Sequence, residues 1–210
     1  MLELAGDHAR AMLSRGRQGA PGIVVLVDSD PDAWTPLLSR WSARGWHGIA
    51  AARRDRGFQP ENAPRWSALC EAAINRLGQN GADMDNLALV SEGSLSPFAL
   101  SMASRLPAVQ VVVMVSPVSA GSAWDPERII REIRDCPTLV MSSENDMVSD
   151  TMAERVKQAA PVFSEWRRYQ GAEQGVSLLH SKPVAVREME DWLASILEAP
   201  KPTPGRSEGS

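Results

Sequence analysis

Apolar positions along this chain switch between two periods. IVVLV (23–27), LALV (87–90), VVVMV (111–115) and PTLVMSS (137–143) are short, largely apolar and bounded by turn residues, so they read as strands buried on both faces. WHGIAAA (46–52) is a weaker strand, and VFSEWRRYQ (162–170) alternates as an edge strand does. Between them lie segments of helical period: DPDAWTPLLSRWSARG (30–45), RWSALCEAAINRLGQNG (65–81), PFALSMASRLP (97–107), DPERIIREIRD (125–135), SDTMAERVKQAA (149–160) and KPVAVREMEDWLASILEA (182–199). Residues 2–14 read as a further short helix. Six strands alternating with helices predict an α/β protein, a three-layer α/β/α sandwich around a mainly parallel six-stranded sheet. The expected organisation is an N-terminal helix and loop at 1–21, one domain at 22–198, and a disordered tail at 199–210 that ends PKPTPGRSEGS. In such sheets ligands bind beyond the carboxyl ends of the strands, where strand order reverses. That singles out the loops after Val27, Val90, Ser142 and Gln170.

Composition narrows the function classes. With 210 residues and 43% apolar content the chain can bury one core. Its net charge is −4 and its basic residues are scattered, which argues against nucleic acid or an acidic membrane surface as partner. Cys70 and Cys136 sit in apolar segments, as buried thiols of a reducing compartment do. The first residues, MLELAGDHAR, carry acids where a signal peptide needs positive charge. A cytoplasmic protein without a cofactor is expected.

The stretch LALVSEGSLSPFALSMASRLP (87–107) is an apolar strand, a small-residue turn and a helix. With the element order over roughly residues 22–197, it resembles the α/β-hydrolase superfamily, whose nucleophile elbow reads Gly-x-Ser-x-Gly after such a strand. The resemblance implies an α/β-hydrolase-like fold, here without a cap domain, because 116–136 leaves room for one short helix. In this frame the serine position falls on Gly93, the acid position after PTLVMSS on Asp146, and the histidine position, in GAEQG, on Gln174. The oxyanion loop reads DSDPD, with Asp28 and Ser29. Glutamine takes no proton near neutral pH, and a carboxylate at Asp28 repels a developing oxyanion.

From these positions the sequence suggests a non-catalytic protein acting as a binding, scaffold or accessory subunit. An alternative frame places the nucleophile at Ser94 and makes a weak serine esterase or thioesterase with a displaced Ser94–Asp146–His180 triad. A third possibility is proton transfer by Asp28 or Glu92 alone. Glycine suits the strained tip of an elbow, which favours Gly93 there, at positive φ. Asp28, Ser29, Glu92 and Ser94 are expected to form a cleft, with Trp34 and Trp124 at its rim, for a protein partner or a small cationic ligand. No His or Cys accompanies the acids, so no zinc or iron site is expected.

Overall fold

The computed structural model describes residues 2–3, 9–53, 57–133 and 136–199. Eight strands form one sheet in the order β1-β2-β4-β3-β5-β6-β7-β8. The six predicted strands are β3 (Pro21–Val27), β4 (His47–Arg53), β5 (Asp83–Glu92), β6 (Val109–Val115), β7 (Thr138–Ser143) and β8 (Ser164–Tyr169), and all neighbours among them pair in parallel. Two further strands, β1 (Leu2–Glu3) and β2 (Ala9–Ser14), extend the sheet antiparallel beyond β4. This corrects the N-terminal helix. ARAMLS buries Ala9 and Ala11 with a period of two, and pairing along β4 covers an edge that would otherwise be open. The helix-favouring Ala, Leu and Met of this segment are overridden by that pairing. The tail, from residue 200 on, lies outside the described residues.

The run IVVLV divides its side chains between two cores. Ile23, Val25 and Val27 pack on one face with Trp34, Leu37, Leu38, Trp41, Leu193 and their neighbours; Val24 and Leu26 pack on the other with Leu69, Phe98 and Ala153. Helices α1 (Thr35–Arg44), α6 (Val176–Ser181) and α7 (Pro183–Leu197) therefore cover the first face, and α2 (Ala63–Gln79), α3 (Ser96–Ala103), α4 (Pro126–Glu132) and α5 (Met147–Ala159) the second. This is the predicted three-layer sandwich. Between β6 and β7 only a 3-10 turn and the seven-residue α4 are inserted, so no cap domain covers the sheet. Among the described residues no helix is long and apolar enough to cross a membrane.

After β3 the chain crosses by α1 to β4 on one side, then by α2 to β5 on the other side of β3. The carboxyl ends of β3 and β5 thus form the point where strand order reverses, the place where α/β sheets bind ligands.

Candidate active site

At that point β5 ends in Glu92 and the backbone turns sharply through Gly93, whose φ is +57°, into a 3-10 turn (Gly93–Leu95) and α3. The tip of the elbow is therefore Gly93, as the sequence leads one to expect. A Cβ there would sit 3.2 Å from Asp28 Oδ2, so a side chain at 93 meets both backbone strain and a close carboxylate.

Ser94, the next residue, points its hydroxyl at Asp28. Its Oγ donates to Asp28 Oδ2 at 2.7 Å, its backbone N–H donates to the same oxygen at 3.2 Å, and the Phe58 N–H donates to Ser94 Oγ at 3.0 Å. The hydroxyl is thus held in one orientation, with its proton directed onto a carboxylate. Burial pushes the Asp28 carboxyl above its ordinary value; the Ser94 hydroxyl bond holds it down, and the nearby Glu92 charge adds to the rise. The other oxygen, Oδ1, is buried and has no hydrogen-bond partner among the described residues.

Glu92 is 4% exposed. Its Oε1 accepts from the Ser29 N–H at 3.0 Å and from the Ser29 hydroxyl, and its Oε2 accepts from the Val176 N–H at 3.1 Å. One carboxylate thereby fastens the loop after β3 to the start of α6. Gly175 makes room for it, because a Cβ there would lie 2.9 Å from Glu92 Oε2.

These residues line a cleft of about 350 Å³ with Ser116, Val118, Asp146, Gln174 and Ser177. Asp146, 6% exposed, caps α5 by accepting from the Ser149 N–H at 3.4 Å, and Gln174 is exposed at the mouth. His180 is elsewhere. It lies at the exposed end of α6, in a separate groove with Pro36, Leu37, Arg40 and Pro183. Trp34 is fully buried against α1 rather than at the rim, since an indole at the start of a helix that faces the sheet removes more apolar surface from water by turning inward. Trp124 stacks edge-on to Phe58 at 4.7 Å between ring centroids and lines a neighbouring groove with Ala63 and Ser67. Its link to the site is indirect, through Phe58. Among the described residues no group of three or more His, Cys, Asp or Glu side chains is placed to hold a metal ion.

Ser116 was not singled out by the sequence. It follows β6 as Val27, Glu92 and Ser143 end their own strands, so the rule that selected the other loops applies equally to it.

No protein-family profile and no curated protein matches the chain. Solved structures do. A Klebsiella pneumoniae protein assigned as a dienelactone hydrolase superposes with a TM-score of 0.68 at 13% identity, over 92% of this chain and 100% of that one. Esterase 2 of Thermogutta terrifontis, solved as its paraoxon-phosphorylated form, gives 0.67 at 13% identity, over 92% and 91%. A Rhizomucor miehei esterase gives 0.67 at 14% identity, over 94% and 82%. All three are named for hydrolysis. That finding overturns the expectation of a non-catalytic binding, scaffold or accessory protein, which rested on Gly93 and Gln174 at the serine and histidine positions and on Asp28 in the oxyanion loop. These superpositions, over nine-tenths of this chain, place it in the α/β-hydrolase fold.

Proposed function

We propose that the protein is a weak esterase or thioesterase for small acyl groups, with Ser94 as nucleophile and Asp28 as its base. The observation that carries the reading is the 2.7 Å hydrogen bond from Ser94 Oγ to a carboxyl whose proton affinity is raised by burial. An ordinary carboxylate is a poor base for a serine; raising its pKa narrows the gap and makes transfer in the transition state more effective. In the acylation step Ser94 Oγ attacks the ester carbonyl as its proton passes to Asp28 Oδ2. The carbon–oxygen bond to the leaving alcohol then breaks, and Asp28 returns the proton to that alcohol. A water molecule then gives a proton to Asp28 as it attacks the acyl-serine; the bond from the acyl carbon to Ser94 Oγ breaks, Asp28 returns the proton to that oxygen, and the acid leaves. His180 has no part in this scheme, because it lies in another groove.

Turnover is expected to be slow. The Ser94 and Ser29 N–H groups, two amides of residues lining the cleft, are already taken by Asp28 and Glu92. They offer an oxyanion less than free donors would. The open, capless cleft suits short acyl chains rather than long ones.

Hydrolysis of p-nitrophenyl acetate tests the reading, together with covalent modification by paraoxon, the organophosphate that phosphorylates the Thermogutta esterase. Ser94→Ala should abolish both, and Asp28→Asn should lower the rate about 10²–10⁴-fold. Because the base must be ionised, the rate should rise with pH through the raised Asp28 value and then level off. Undiminished hydrolysis in Ser94→Ala sinks the proposal.

A further inference from the structure

Ser116 stands directly after β6 and lines the same cleft as Ser94, and its backbone is unusual for a residue with a side chain. Its φ is +51°, and among the described residues it is the one non-glycine residue in that region. A side chain held there stores backbone strain, which persists only where the surroundings impose it. Two bonds impose it here. The Ser116 N–H donates to the Met141 carbonyl at 2.8 Å, and Ser116 Oγ accepts from the Gly175 N–H at 2.9 Å.

The second bond has a chemical consequence. Accepting an N–H uses a lone pair and leaves the hydroxyl proton free to donate. Ser116 is 3% exposed, yet among the described residues no acceptor takes that proton. The other donors at the base of the cleft are committed: Ser29 N–H and hydroxyl to Glu92, Ser94 N–H and hydroxyl to Asp28, and Val176 N–H to Glu92. Among the described residues, of the Ser29, Ser94 and Ser116 hydroxyls that of Ser116 alone keeps an unclaimed proton; Asp28 Oδ1, also unpaired there, is an acceptor. A buried hydroxyl with its oxygen fixed and its proton unclaimed is a preorganised donor, the kind of group that lowers the energy of a developing negative charge.

We infer that Ser116 is a catalytic residue that donates its hydroxyl hydrogen bond to the carbonyl oxygen of the acyl substrate, supplying the oxyanion stabilisation that the occupied amides do not. The inference rests on the esterase reading of the same cleft. It also narrows the substrate: the reacting carbonyl must fit between Ser94 and Ser116, which favours short, unbranched acyl groups.

Two variants test it. Ser116→Ala removes the hydroxyl and keeps a side chain at positive φ; Ser116→Gly removes the hydroxyl and relieves the strain. Both lose the bond from Gly175. If the hydroxyl donates to the transition state, both should lose about 10²–10³ in kcat with KM little changed, while the glycine variant melts higher than the alanine variant. If Ser116 only holds the loop, activity should follow stability, and Ser116→Gly should keep clearly more kcat than Ser116→Ala. That result overturns the inference while leaving Ser94-dependent hydrolysis, and so the esterase reading, intact. A wild-type protein that neither hydrolyses p-nitrophenyl acetate nor reacts with paraoxon overturns both.

Discussion

At the scale of single residues the elbow turns on Gly93 and Asp28. Gly93→Ser would place a hydroxyl at the tip, but at φ +57° and with its Cβ 3.2 Å from Asp28 Oδ2. The substitution should cost about 1–3 kcal/mol, seen as a lower melting temperature. An unchanged melting temperature would show that the tip is not strained. Asp28 has the opposite expectation. Its native pKa lies above the unfolded value of 3.8, so the folded state holds the proton more tightly. Its contribution to stability is fully present below pH 3.8 and is lost as pH rises through the native value. Asp28→Asn, which cannot ionise, should therefore melt higher than wild type at pH 7, and the gap should shrink as pH falls towards 4. A mutant destabilised at both pH values would mean that the bonds to Ser94 outweigh the cost of burying the charge.

Between elements, Glu92 works as a fastening. It ends β5 yet binds the loop after β3 and the first turn of α6, two segments separated by about the whole domain in sequence. Glu92→Gln keeps the shape but offers an amide N–H₂ to one of the N–H groups that the carboxylate now satisfies. Leaving a buried donor unpaired costs about 1–3 kcal/mol. Amide hydrogen exchange should then quicken at Ser29 or Val176 while β6 and β7 keep their protection. Equal protection at both amides in the mutant would rule out the fastening role. The same scale shows why β2 escaped the sequence reading. Its six residues, ARAMLS, have helical propensity, and only the open edge of β4, distant in sequence, turns them into a strand.

Across the whole molecule, α1 and α7 share a face of the sheet and are joined by Arg40 and Glu190. The guanidinium donates to both carboxylate oxygens, at 2.9 and 2.6 Å, and Glu190 is 3% exposed while the Arg40 side chain is half exposed. Arg40→Ala leaves a buried carboxylate without its partner and should cost about 2–3 kcal/mol, less than for a fully buried pair. Arg40→Met combined with Glu190→Leu should recover most of that loss in thermal unfolding. A double variant as unstable as Arg40→Ala would place the stabilisation in packing rather than charge. Substrate hydrolysis should be unaffected throughout, because this pair lies on the outer layer, away from the cleft.

The sequence alone determined what depends on local pattern: the six parallel strands, from continuous apolar runs; their helices; the absence of a cap, from the short 116–136 segment; and Gly93 at the tip, from glycine's freedom at positive φ. Asp28, Ser29, Glu92, Ser94, Asp146 and Gln174 line one cleft because all lie at or after strand ends, and strand ends gather at one edge of the sheet. Tertiary structure decided what depends on direction. Which way a side chain leaves a loop is set by its contacts with distant segments, and no local period encodes it. Thus Trp34 turned into the core, His180 into another groove, and Glu92 down onto Ser29 and Val176. The pairing of Ser94 with Asp28, 66 positions apart, was decided the same way: β3 and β5 lie side by side only in the folded sheet, and burial between them gives that carboxyl its raised proton affinity.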